Sequence, residues 1–164
     1  MFSEKFKIVP VAKEIDLSGT VYTDSIYAKD VQKVTFMFNL NTLSGASAVL
    51  TVNSGTSDAA CTTAMRFNYA FGGAAIGTAT AGSATSCDVL AAKTSASTLT
   101  LTYGSYSNYM LVVEVDIADM DSGNDHDWLT CKFTTTSGVT GNVSGFAIWE
   151  YRYPSASSDT VLAA

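Results

Sequence analysis

The feature that most constrains the fold of this chain is an alternation of apolar and polar residues with a period of two, which recurs from Val31 almost to the C-terminus. This period is typical of a β-strand with one buried face, whereas an amphipathic helix repeats its apolar residues every three to four positions. Turn-forming residues such as Gly, Ser, Asn and Asp bound each run. The clearest runs are residues 34–40, 48–52, 65–71, 99–103, 109–117, 127–135 and 143–153.

Shorter candidate strands at residues 8–12, 19–28 and 86–90 bring the total to roughly eight to ten. Parallel strands need long crossover connections, usually helices, and no segment has the apolar spacing of a long helix. Strands of this number and spacing are typical of sandwiches and barrels. We therefore predict an all-β fold, specifically an antiparallel β-sandwich with a jelly-roll-like order of strands.

The length of 164 residues is that of a single domain, and the pattern divides it into three parts. Residues 17–153 are predicted to form one β-sandwich domain. Residues 1–16 are predicted to form an N-terminal arm, because lysines and few turn residues precede the first clear strand. Residues 154–164 are predicted to form a C-terminal tail. Residues 72–97, rich in Gly, Ala, Ser and Thr, are expected to form an exposed excursion between strands.

The charge of the chain argues against two classes of partner. Nine basic residues stand against fifteen acidic ones, with a formal net charge of −6, so the sequence carries no basic patch of the kind that binds nucleic acid or anionic lipid. No apolar run approaches the roughly 18 residues that a membrane-spanning helix needs. We therefore expect neither nucleic acid nor a membrane among the partners.

The single histidine, His126, limits the catalytic possibilities, because any serine or cysteine triad would have to use it. No G-x-S-x-G nucleophile motif is present to supply its partner. The acidic and small residues around His126 predict a turn between two strands. We therefore predict no enzyme activity, no catalytic residues and no cofactor.

The segment around this histidine is acidic, and closely spaced carboxylates can bind Ca²⁺. The spacing departs from the EF-hand pattern, because Gly123 is at the fifth position from Asp119 and no glutamate is at the twelfth. The same residue types build tight turns, so a turn without a metal is favoured and calcium binding by residues 119–127 is left open. The aspartates concerned are Asp116, Asp119, Asp121, Asp125 and Asp127.

Aromatic residues alternate on one face of the last predicted strand, at Trp149, Tyr151 and Tyr153. Such a face is typical of a core or a protein interface, and Trp128 would extend it. A platform for carbohydrate is the alternative interpretation.

The three cysteines, Cys61, Cys87 and Cys131, are too few and too scattered for a disulfide framework. With no C-x-x-C motif and one histidine, they also predict no metal site. We expect synthesis in a reducing cytoplasm, and whether Cys61 and Cys87 pair is left open.

Four stretches of the sequence carry a family resemblance. They are Ile8-Val-Pro-Val-Ala12 with Ile15-Asp-Leu-Ser18, Asp30-Val-Gln-Lys-Val-Thr-Phe-Met-Phe38, Tyr109-Met-Leu-Val-Val-Glu-Val-Asp116 with Asp119-Met-Asp121, and Ala147-Ile-Trp-Glu-Tyr-Arg-Tyr153. This set, spread over the chain but leaving residues 39–108 unmatched, resembles the small capsid decoration (cement) proteins of tailed bacteriophages.

The resemblance implies a jelly roll or related β-sandwich that binds the outer surface of a phage capsid and stabilises the head. The implied partners are the major capsid protein and further copies of the chain, with a homotrimer favoured and a homodimer possible. The expected location is the virion capsid surface, after synthesis in the host bacterial cytoplasm. The alternative function is a receptor- or carbohydrate-binding β-sandwich module of a head fibre or tail.

Overall fold

The computed structural model describes residues 6–76, 86–120, 122–135, 138–152 and 162 of the chain. In these residues the regular structure is β, apart from single-turn 3₁₀ helices at Asp58–Ala60, Ile117–Asp119 and Ser122–Asn124. The strands are β1 (Phe6–Asp16), β2 (Val21–Tyr22), β3 (Ile26–Tyr27), β4 (Val31–Leu40), β5 (Ala48–Gly55), β6 (Thr63–Met65), β7 (Phe67–Phe71), β8 (Thr94–Ala96), β9 (Leu99–Leu101), β10 (Met110–Asp116), β11 (Trp128–Thr135) and β12 (Asn142–Tyr151).

The strands form two antiparallel sheets. Sheet A has the order β1-β12-β4-β10-β7-β8, and sheet B has the order β2-β11-β5-β6, with β3 also paired to β11 and β9 to β5. Eight strands pair from the chain ends inward: β1 with β12, β2 with β11, β4 with β10 and β5 with β6. This nested pairing over two sheets is the strand order of a jelly roll, and the predicted all-β sandwich is confirmed.

Each edge of sheet B is formed by two short strands that lie end to end. This division raises the number of strands to twelve. β2 and β3 both pair with β11, and β6 and β9 both pair with the same edge of β5. Between β2 and β3, the Thr23 hydroxyl accepts a hydrogen bond from the Cys131 backbone N–H at 3.0 Å, so a side chain replaces one backbone acceptor. Between β6 and β9, the chain leaves sheet B and adds β7 and β8 to sheet A.

The run at residues 65–71, predicted as one strand, divides at Arg66 between the two sheets. Met65 ends β6 on sheet B, Phe67 begins β7 on sheet A, and both side chains are buried. The core lies between the sheets, so an inward-facing side chain is buried whichever sheet carries it. Alternation therefore reports burial but does not report sheet membership.

Aromatic contacts join the two sheets across the core. Phe38 on β4 meets Phe133 on β11 edge to face, with 5.4 Å between ring centroids. Phe36 stacks beside Phe38 on the same strand, and Trp149 on β12 is also buried. Because aromatic side chains bury large areas and pair with preferred geometries, this cluster fixes how the sheets face each other.

Most of the predicted N-terminal arm is instead part of the sandwich. β1 pairs with β12 along its length, and Val9 and Val11 lie in the core. The candidate strand at residues 8–12 is the middle of β1, and two local features obscure the rest of it in the sequence. Pro10 is acceptable because β1 is an edge strand, and a bulge near Glu14, where φ is +48°, interrupts the alternation. Residues 1–5 lie outside the described residues.

Of the predicted excursion, the structure describes residues 72–76 and 86–97. Residues 77–85 lie outside the described residues. Thr94–Ala96 forms β8, while the candidate strand at residues 86–90 makes only one bridge, between Gly72 and Leu90. In the predicted C-terminal tail, the structure describes Leu162, which forms a bridge with Ile26 of β3.

Gly145 of β12 offers a direct test of the packing between β12 and β4. A Cβ atom at this position would lie 2.5 Å from Cδ1 of Phe38 and 2.8 Å from the backbone oxygen of Met37. We predict that Gly145→Ala lowers the free energy of unfolding by about 1–3 kcal/mol, because it overpacks the core. Urea unfolding measures this change.

Gly19→Ala is the matched control, because nothing lies within 4 Å of a Cβ atom at Gly19. It adds the same methyl group in open space. Equal effects of the two substitutions would contradict the described packing of β12 on β4.

Candidate functional site

An apolar row crosses the outer face of sheet A. Its members are cross-strand neighbours on five adjacent strands, β1, β12, β4, β10 and β7. The residues that flank them along β4 and β10 are buried in the core, so the row faces away from sheet B. The row consists of Pro10, Phe146, Met37, Val112 and Ala70.

A groove of about 530 Å³ lies along the exposed part of this row. We call it the sheet A groove. Its volume is within the roughly 300–1,000 Å³ that is common for binding sites. Apolar side chains dominate its lining, which includes Pro10, Met37, Ile76, Met110, Ser144 and Phe146.

The apolar side chains around the groove are open to solvent. Ile8 is 57% exposed, Ile76 41% and Phe146 38%. Scattered apolar residues are normal on a protein surface, but a contiguous exposed group marks a site of interaction. Aromatic residues and methionine are also the types enriched at protein interfaces. The sheet A groove is therefore the candidate docking surface of the described residues.

The sequence of β12 explains why the outer face is apolar. Ala147 and Trp149 point into the core, while Phe146 and Ile148 alternate with them on the opposite side. A strand with apolar residues on both faces is typical of a strand that is covered on both sides. In the described part of the chain, sheet B covers the inner face of β12 and leaves its outer face uncovered.

The excursion shapes the two ends of this surface. The Ile76 N–H donates a hydrogen bond to the Asn108 carbonyl at 2.6 Å, which holds Ile76 as a wall of the groove. Farther along, Leu90 and Lys93 line a small cavity with Val112 and Ala70 at the β7 end of the row. The segment predicted as an exposed excursion therefore contributes to the groove and borders one end of the row.

An ion-pair network borders the row on the same face of sheet A. Glu114 of β10 pairs with Lys93 and, at 3.1 Å, with Lys33 of β4. Burial opposes the charged carboxylate, but the hydrogen bonds from Lys93 and Lys33 outweigh it and hold the pKa of Glu114 below its ordinary value. Each of these three charges thus has an ion-pair partner, and the network keeps one positive charge in excess.

His126, the only candidate base, is engaged in a structural contact. Its Nδ1 lies 2.9 Å from Oγ of Ser54 at the end of β5, and Ser54 is fully buried. A serine nucleophile must reach its substrate, so a hydroxyl without exposed surface is unsuited to that role. The hydrogen bond instead ties the turn before β11 to the core.

The acidic residues around His126 separate into individual structural roles. Asp116 accepts a hydrogen bond from the Ala118 N–H at the start of a 3₁₀ helix, and Asp127 pairs with Lys29 at 3.6 Å. Asp125 adopts a φ of +55°, as turn residues do. No group of three His, Cys, Asp or Glu side chains in the described residues could hold a metal ion. Asp121 lies outside those residues.

The predicted aromatic face divides in the structure. Trp149 belongs to the core, with Tyr151 stacked beside it at a ring-centroid distance of 5.9 Å, which leaves no tryptophan platform there. Trp128 is half-buried against Tyr27 of β3. Tyr153 lies outside the described residues.

No disulfide joins the three cysteines at positions 61, 87 and 131, all of which are described. Burial raises the pKa of the Cys131 thiol well above its ordinary value and raises that of Cys61 as well. Both thiols are therefore poor nucleophiles at neutral pH.

Sequence reasoning missed the residues that line the groove. Phe146 and Met37 lie in predicted strands and Pro10 in the predicted arm, and none of them was predicted as a site residue. The signal that could have found the surface is the two-sided apolar pattern of β12.

Comparisons of the chain with protein-family models, with curated proteins and with solved structures found no match. In the described part of the chain, no helix has the length and apolar character needed to cross a membrane. The function must therefore be argued from the surfaces themselves.

The ion pairs of Glu114 predict a specific dependence of stability on pH. A carboxyl whose pKa is lowered by folding stabilises the fold above its unfolded-state pKa of about 4.3, and this contribution is lost as the pH falls through the lower folded-state value. We predict that Glu114→Gln lowers the free energy of unfolding by about 1 kcal/mol at neutral pH. The difference from wild type should shrink as the pH falls below about 4.3.

Urea unfolding of both proteins across this pH range measures the effect. A constant difference at every pH would show that the ion pairs with Lys33 and Lys93 do not stabilise the fold.

Proposed function

We propose that this chain is a structural virion protein that decorates the outer surface of a bacteriophage capsid and stabilises the head. In this proposal the partner is the major capsid protein, and the docking surface is the sheet A groove with the exposed side chains around it. The observation that carries the proposal is the open apolar surface of sheet A, combined with the four stretches that resemble decoration proteins.

The chemistry of sheet A suits docking on another protein. The exposed Phe146 and Ile8 can be desolvated at little cost, whereas charged side chains would have to give up their hydration. The nearest charges, on Glu114, Lys33 and Lys93, belong to one ion-pair network. A partner can therefore cover this part of the face while each of these charges keeps an ion-pair partner.

The exposed edge of sheet A is protected against pairing with another chain, which favours contact through the face of the sheet. β1 is an edge strand, and such edges readily pair with another chain unless they are protected. Pro10 lacks an N–H donor, and the bulge near Glu14 disrupts the edge further. Both features are recognised devices against edge-to-edge pairing, so contact through side chains on the face is favoured.

Repetition on a capsid would strengthen such contacts. A shell presents many identical sites, and copies of the chain that associate with one another bind several sites at once, which raises the overall avidity. We propose self-association for this reason, with a homotrimer favoured and a homodimer possible. A groove of moderate size then suffices for lasting attachment.

Phe146→Ser tests the docking surface. Phe146 lies in the row and lines the groove, so its removal should weaken binding to capsids that lack the protein by about tenfold or more. Co-sedimentation with expanded capsids of the phage that encodes the chain measures the affinity.

Tyr103→Ser is the matched control, because Tyr103 is a 52% exposed aromatic residue that follows β9 on sheet B. We expect it to bind as wild type does. Unchanged binding of Phe146→Ser, or an equal loss in both variants, would contradict the proposed docking surface.

A further inference from the structure

A cleft of about 220 Å³ lies on the outer face of sheet B, on the opposite side of the sandwich from the sheet A groove. The 3₁₀ turn Asp58–Ala60 follows β5 and lies over the sheet, while Thr130 of β11 lines the cleft. Tyr22 of β2 stands beside it. We call this site the sheet B cleft, and its lining includes Tyr22, Ser25, Asp58, Cys61, Thr62 and Thr130.

The turn that walls the cleft is fixed by close packing. A Cβ atom at Gly55 would lie 2.1 Å from the backbone oxygen of Ala60, so only glycine permits this approach. The Ser25 hydroxyl donates a hydrogen bond to the Asp58 backbone oxygen at 2.9 Å. The Asn53 side chain donates another to the backbone oxygen of Cys61 at 3.3 Å. The cleft is therefore preformed, which lowers the cost of binding a ligand.

The polar groups of the cleft are mainly hydrogen-bond acceptors and hydroxyls. Asp58 is exposed and offers two carboxylate oxygens that accept hydrogen bonds. The Ser25 hydroxyl already donates its proton to the turn, so toward a ligand it can only accept. The exposed Thr62 hydroxyl can donate or accept. Such a set matches a ligand that carries several hydroxyl donors.

The aromatic group of the cleft adds an apolar surface. Tyr22 is 52% exposed, and the ammonium group of Lys132 lies 5.7 Å from its ring centroid. An exposed aromatic ring can pack against C–H groups while its hydroxyl stays in contact with water. A ligand for this site therefore has one apolar face and a rim of hydroxyl groups.

Charge and size narrow the ligand class further. The Asp58 carboxylate disfavours phosphates and other anions, and the Lys132 ammonium over the Tyr22 ring offsets the attraction of that carboxylate for cations. Hard metal ions need six or more oxygen ligands, whereas Asp58 is the one carboxylate among the lining residues. The volume is below the roughly 300 Å³ of the smallest typical drug-sized pockets. A neutral pyranose ring satisfies all of these limits.

We infer that the sheet B cleft binds a neutral saccharide, one sugar ring at a time, with Asp58 accepting hydrogen bonds from its hydroxyl groups and Tyr22 packing against its C–H face. This inference does not depend on capsid docking. If the sheet A groove faces a capsid, as proposed above, the cleft faces outward, where a glycan on a cell surface could reach it.

Titration by nuclear magnetic resonance tests the inference with glucose, galactose, N-acetylglucosamine and rhamnose as probes. At least one sugar should shift the backbone amide signals of Tyr22, Ser25 and Thr62, with a dissociation constant on the order of 1 mM. Asp58→Asn and Tyr22→Ala should each weaken this binding by about tenfold, while thermal unfolding confirms that both variants fold.

Tyr103→Ala is the matched control, because Tyr103 has the same 52% exposure as Tyr22 but lies outside the cleft. It should bind the sugar as wild type does. The inference is overturned if none of the four sugars shifts the cleft signals, if Tyr103→Ala loses as much affinity as Tyr22→Ala, or if the phosphorylated form of the sugar that binds does so as tightly as the neutral sugar. None of these outcomes bears on capsid docking, which uses the other sheet.

Discussion

The antiparallel pairing of β12 with β1 on one side and β4 on the other is the interaction on which the rest of the structure depends. It joins the two ends of the chain, and the remaining jelly-roll pairs nest inside it. β12 also links core and surface, because Trp149 packs inward while Phe146 faces outward. Gly145, just before Phe146, lies so close to Phe38 that a larger residue would overpack the core. A change in this strand would therefore affect folding and the docking surface together.

The two outer faces of the sandwich have different chemistry. Sheet A presents an apolar groove near the ion pairs of Glu114 with Lys33 and Lys93, whereas sheet B presents a cleft of hydroxyl groups, Tyr22 and Asp58. The first suits a protein partner and the second a small polar ligand. The low fraction of charged residues, 15%, is consistent with surfaces that contact other molecules. The two faces of this domain therefore suit two different kinds of ligand.

The sequence predicted the class of fold and much of the core, because a period of two directly reports which side chains are buried. It did not predict which sheet each strand joins, since Met65 and Phe67 are buried alike on different sheets. Of β1 it predicted only residues 8–12 as a candidate strand, within an arm, because Pro10 and a bulge interrupt the pattern. The groove and the cleft arise from cross-strand neighbours that are distant in sequence, such as Pro10 with Phe146, so alternation within one strand cannot reveal them.

The central claim is that sheet A is the attachment face, and the orientation of the chain on a capsid tests it most directly. Cryo-electron microscopy of decorated capsids, at a resolution that separates strands, would show which sheet contacts the shell. We predict symmetric density over the shell, with Phe146 and Met37 at the contact and the sheet B cleft facing outward. Density with sheet B against the shell, or confined to the tail, would contradict the account.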